Sequence, residues 1–185
     1  MDKTTVALLI AEMDALFAER ARHFPRRDPV NTAALNDAYG RLFTLLWSDA
    51  PPPEPAAPCL DDRFLNVPIF LCGYLKSGTT LLTALLDAHP ALVVLPGDTN
   101  LLHLLRRFTP LPRPQLDEAW GAHWLKRLVN PTGQPPFWLL GQDGRAYADF
   151  LGWLRRELAA WDGENRAALL VTAVRAYYCA NRERP

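Results

Sequence analysis

The chain has 185 residues, with 20 basic and 20 acidic side chains and a formal net charge of zero. That length suits one domain, or one domain with a helical appendage, and a hydrophobic share of 49% excludes a disordered chain. The charge balance excludes the broad positive footprint of a nucleic-acid or acidic-membrane binder, while leaving room for a local anion site. Three cysteines, Cys59, Cys72 and Cys179, form no CxxC pair, no zinc pattern and no even disulfide framework. A reducing compartment fits them best. The start, MDKTTVALLIAEMD, lacks a signal-type apolar core, and no run approaches the ~18 apolar residues of a membrane span. The expectation is a cytoplasmic protein with no membrane span and no nucleic-acid partner.

Residues 1–48 are expected to form a helical hairpin. Val6, Leu9, Ile10, Met13, Leu16 and Phe17 recur at helical spacing, and the helix ends before Pro25. A second helix, capped near Asn31 or Thr32, lines up Leu35, Ala38, Tyr39, Leu42, Leu45 and Leu46. Residues 49–63 read as a linker whose proline-rich part is DAPPPEPAAP. Residues 64–185 then read as an α/β domain. Val67-Pro-Ile-Phe-Leu-Cys72 is expected as a buried strand, and Ala91-Leu-Val-Val-Leu95 as a second. Between them Thr79–Ala88 reads as a helix with Leu82, Leu85 and Leu86 facing inward, stopped by His89-Pro90. Strand, helix and strand within about thirty residues is a βαβ unit, and implies a parallel sheet of the P-loop NTPase-like kind, of which about two strands are visible. Further helices are expected from Leu101 to Phe108, over 115–128, over 145–161 and over 165–181. Within the last, Leu169–Val174 alone also suits a strand, but the helical period holds over the whole segment.

The segment that carries chemistry is Gly73-Tyr-Leu-Lys76-Ser77-Gly78-Thr79-Thr80, between the first strand and its helix. Amide N–H groups in such a turn, together with the positive end of the helix dipole, attract an anion. Gly73 and Gly78 permit close approach, Lys76 adds a charge, and Ser77, Thr79 and Thr80 add hydroxyl donors. Compared with a Walker A loop, the two glycines have the right spacing, but Thr79 stands where the lysine belongs. Ordinary nucleotide hydrolysis is therefore disfavoured.

Lys76-Ser-Gly-Thr-Thr80 after a buried strand resembles the phosphosulfate-binding loop of sulfotransferases that use 3′-phosphoadenosine 5′-phosphosulfate (PAPS) as donor. The wider stretch CGYLKSGTTLLTALLDAHPALVVLPGDTNLL is similar to the broad bacterial-type sulfotransferase family, over about Val67 to Leu105. The resemblance implies that Lys76 contacts the phosphosulfate and stabilises the departing phosphate. It implies that Ser77, Gly78, Thr79 and Thr80 cradle the 5′-phosphosulfate, and that no metal is needed. An acidic residue after the second strand serves many relatives as base, and Asp98 occupies that neighbourhood. Asp98 equally suits the N-cap of the helix that follows. His89 reads as a helix terminator, and His103, one turn beyond Asp98, as a bystander.

No counterpart of the family's 3′-phosphate-binding Arg and Ser is legible; Arg175 lacks the residues that would have to follow it. The chain is therefore expected to be the N-terminal portion of such an enzyme. The implied activity is sulfuryl transfer from PAPS to a hydroxyl or amine of a small-molecule or glycan acceptor. Two alternatives stay open at this point, a non-catalytic remnant that keeps the anion loop and an atypical P-loop kinase or NTPase. Trp120, Trp124, Trp138, Trp153 and Trp161 suit either an acceptor pocket or plain core, the latter for each taken singly.

Overall fold

A computed structural model describes residues 3–23, 29–49, 71, 79–87, 89, 92, 94–95, 101–108, 110–129, 138–142, 144–165 and 168–181. Among them the regular structure is helical: α1 (Lys3–Arg22), α2 (Pro29–Asp49), α3 (Thr79–Asp87), α4 (Leu101–Phe108), α5 (Arg113–Leu128), α6 (Arg145–Ala160) and α7 (Ala168–Asn181).

The apolar stripes read from the sequence are the buried faces of these helices. Val6, Leu9, Ile10, Met13 and Phe17 of α1 meet Leu35, Ala38, Tyr39, Leu42 and Leu46 of α2. The same hydrophobic cluster takes in Leu116, Trp120 and Trp124 of α5, Tyr147, Phe150, Leu151, Leu154 and Leu158 of α6, and Leu169, Leu170, Ala173 and Ala176 of α7. α6 packs along α7, and α2 packs on both α5 and α6. Burial of whole Leu and Phe side chains contributes about 1.5–3 kcal/mol each, which is why these stripes, rather than intrinsic propensity, hold the helices.

Helix ends follow from local chemistry. Pro29, not Asn31, opens α2, since proline lacks the N–H that a first turn leaves unused. Asn31 crosses to α1, where its Nδ2 donates to the Leu16 carbonyl at 3.2 Å. α4 stops at Phe108, and Pro112 and Pro114 then set the start of α5. Gly144 precedes α6 with φ +67°, and a Cβ there would lie 2.6 Å from Val6 Cγ1, so only glycine meets both demands. Asp14 of α1 accepts from Trp138 Nε1 and, at 3.0 Å, from Gln142 Nε2, tying the segment before α6 to the first helix. Arg113, at the start of α5, donates to the carbonyls of Leu158 and Trp161 and stacks 4.9 Å over the Trp161 ring.

The α/β, P-loop-like fold class is overturned. Among the described residues there is no strand. Leu71, from the first expected strand, has no regular structure, and the rest of that strand lies outside the described residues. In the second, Leu92, Val94 and Leu95 carry no strand pairing, and the Leu92 N–H donates to the His89 carbonyl at 3.1 Å in a turn. The physical reason is that a short apolar run states only a wish for burial. A strand exists through its ladder partner, and two short runs do not supply the strands of a stable sheet. A helix satisfies its own backbone, so the long 3.6-period stripes fold as read. Leu169–Val174, the ambiguous run, is helical within α7.

Candidate functional site

The candidate site is built on the start of α3. Thr79 and Thr80 are its first two residues, so the helix begins directly after Gly73–Gly78. First-turn amides of a helix have no acceptor within it, and they carry the positive end of its dipole. No acidic residue stands in the first turn of α3 to neutralise that end. The arrangement fits an oxyanion. Lys76, Ser77, Gly78 and Asp98 lie outside the described residues.

The far end of α3 is closed as the His89-Pro90 pair suggests. The His89 N–H donates to the Leu86 carbonyl at 3.0 Å, and the His89 side chain is exposed. The inward leucine face expected for this helix needs correction. Leu82 is 44% exposed and Leu85 is 65% exposed, with Leu81 at 66%; only Leu86 is half-buried. An inward face on this helix needs a sheet to pack on, and among the described residues no sheet is there to receive it.

His103 is exposed on α4. Of the five tryptophans that suit a pocket or plain core, Trp120, Trp124, Trp138 and Trp161 are buried in the core, and Trp153 is half-buried against it. Arg175 sits on α7 with Nη1 at 3.4 Å from Glu157 Oε2. Among the described residues no group of three His, Cys, Asp or Glu converges as metal ligands would. No described helix is long and apolar enough to cross a membrane.

Sequence reading passed over His123. Its ring lies 5.4 Å from Phe108, 6.0 Å from Trp120 and 5.6 Å from Trp124, centroid to centroid. Its Nε2 is buried with no hydrogen-bond partner. Burial first, then the charges of Arg127, Arg107, His103 and Lys126, push its pKa down to about 4, so the imidazole is neutral at physiological pH. The signal was present in the spacing: His123 falls three residues after Trp120 and one before Trp124, on the edge of the α5 stripe.

Compared with known families, residues 68–177 match the sulfotransferase family. The matched span contains all of Gly73–Thr80, the whole of α3 to α6, and Asp98. No curated protein and no solved structure matches the chain. Since the match covers more than half of the 185 residues, the chain belongs to the sulfotransferase family.

Proposed function

We propose that this chain transfers a sulfuryl group from PAPS to a hydroxyl or amine of a small-molecule or glycan acceptor. The observation that carries the reading is the family match, because it spans the anion loop and Asp98 together. The start of α3, free of acidic side chains in its first turn, supports it from the structural side.

PAPS supplies the activated SO₃ group, carried on a phosphate. Ser77, Gly78, Thr79 and Thr80 bind its 5′-phosphosulfate through backbone N–H groups and hydroxyls. Lys76 stabilises the negative charge that grows on the departing phosphate. Donors fixed before the reaction begins lower the barrier without having to reorganise during it. Holding donor and acceptor in line removes the entropic cost of their encounter. Asp98 takes the proton of the acceptor hydroxyl or amine as its oxygen or nitrogen bonds to sulfur.

The test is transfer of sulfur-35 from labelled PAPS to a panel of hydroxyl and amine acceptors, with and without EDTA. The expected result is transfer that survives EDTA and is lost in Lys76→Ala with the fold unchanged. Transfer at full rate by Lys76→Ala would refute the assigned role of the loop.

A further inference from the structure

The outer side of the α1–α2 pair carries an open groove of about 770 Å³. Leu8 and Leu9 of α1 line one wall, and Gly40 and Leu45 of α2 the other. Asn31 reaches back to Leu16, while Arg41 reaches Glu12, so the two helices run antiparallel. The groove therefore has two unlike halves. Glu12, Asp37 and Arg41 fall in one, and Thr5, Thr44 and Leu45 in the other.

Two features of this groove have no explanation within the chain. Leu8 stands 67% exposed on its wall, beside the buried Leu9. Gly40 sits in the interior of α2, where glycine weakens a helix relative to alanine. At Gly121 and Gly144 a Cβ would strike a neighbour, but at Gly40 it would meet nothing within 4 Å. No contact among the described residues calls for glycine there. What glycine leaves is bare backbone that another element can approach closely.

The charges decide what that element is. Arg41 donates to Glu12 and, at 2.9 Å, to Asp37, while Lys126 Nζ donates to Asn36 at 2.7 Å beside them. Two carboxylates thus face two cations, and the groove has no surplus charge to recruit a strongly charged partner. A second copy of this chain meets that condition, since its formal net charge is zero and two copies do not repel at long range. The same face also offers a projecting apolar side chain, Leu8, next to a depression, Gly40, the self-complementarity that a twofold contact requires. A twofold axis across the middle of the groove lays each charged half on the uncharged Thr5–Thr44 half of the other copy. An axis along the groove would instead set like charges against each other.

We propose that the α1–α2 groove is the contact of a twofold dimer of this chain, with Leu8 of each copy seated over Gly40 of the other. The contact lies outside the matched residues 68–177, so it stands whether or not the chain transfers sulfuryl groups.

The experiment is sedimentation equilibrium of the full chain over about 1–100 μM, a range suited to a contact of modest affinity. A monomer–dimer equilibrium with no larger species is expected, because a twofold contact closes on itself. Gly40→Leu fills the depression and suits a helix better than glycine, so it keeps helicity by circular dichroism while weakening the dimer at least tenfold. Leu8→Gln weakens it likewise. The exchange variant Leu8→Ala/Gly40→Leu, which moves the projecting leucine to the facing helix, recovers part of what Gly40→Leu loses. Leu81→Gln/Leu85→Gln, on the exposed face of α3, leaves the dimer as it was. A monomer at every concentration, assemblies that grow beyond two, parent affinity in both Gly40→Leu and Leu8→Gln, or a dimer lost only in the α3 variant would each overturn the proposal.

Discussion

Protonating His123 is expected to cost the fold, and the size of the cost follows from its surroundings. The ring is packed between Phe108, Trp120 and Trp124 with Nε2 unpartnered, and its pKa falls from 6.5 to about 4. The unfolded chain binds this proton near pH 6.5, and the folded chain only near pH 4. Between those values the unfolded state holds more protons, so stability falls as pH falls, by up to ~1.4 kcal/mol per unit. From neutral pH to pH 5 the loss is about 1.5–2 kcal/mol, with the upper end reduced by partial contact of the ring with water. The comparison is with His123→Leu, which keeps the apolar volume and removes the titration. Urea unfolding at pH 7 should separate the two proteins by less than about 1.5 kcal/mol, the usual range for a volume-conserving exchange. At pH 5 the variant should gain about 1.5–2 kcal/mol relative to the parent, since every other group titrates alike in both. A stability difference that does not change between pH 7 and pH 5 would refute the burial and the cationic field assigned to His123.

Other expectations concern the frame of the fold. Gly121→Ala would place a Cβ 2.6 Å from the Trp47 ring and 3.1 Å from Phe43, and should destabilise by about 1–3 kcal/mol in urea unfolding. Gly144→Ala forces a left-handed backbone and a clash with Val6, for about 2–4 kcal/mol; Val6→Ala in the same chain should recover the part due to the clash. Arg113→Ala strips the Leu158 and Trp161 carbonyls of their donor and leaves Asp117 unpaired, for about 2 kcal/mol, and Arg113→Lys should restore only part because it lacks the planar fork.

The helices were legible because their signal is long. α1, α2, α5 and α6 each repeat apolar residues over several turns, and such a stripe has one way to be buried. α7 shows the limit of a shorter window: Leu169–Val174 reads as strand or helix until Tyr177 and Tyr178 extend the period. The sheet expectation, which the described residues do not bear out, rested on a shorter signal still. Residues 67–72 and 91–95 are too short for their period to be tested, and strand formation depends on a partner no local pattern names. The family was legible at Lys76-Ser-Gly-Thr-Thr80 with the leucine helix and His89-Pro90 after it, because that combination of residue types and spacing is rare, and it lies within the matched residues 68–177. His123 was not legible as a perturbed group. Its spacing placed it near the core, but its pKa depends first on burial and then on charges that include those of α4, and only tertiary packing brings α4 against α5.

The measurement that bears most directly on the central claim is calorimetric titration of the parent and of Lys76→Ala with 3′-phosphoadenosine 5′-phosphate, with ATP plus magnesium as the comparison. The expected result is binding by the parent that needs no metal, weakened at least tenfold by Lys76→Ala, a change of about 1.4 kcal/mol or more. Preference for ATP with magnesium, or equal affinity of parent and variant, would contradict the assignment of Gly73–Thr80 as a phosphosulfate loop.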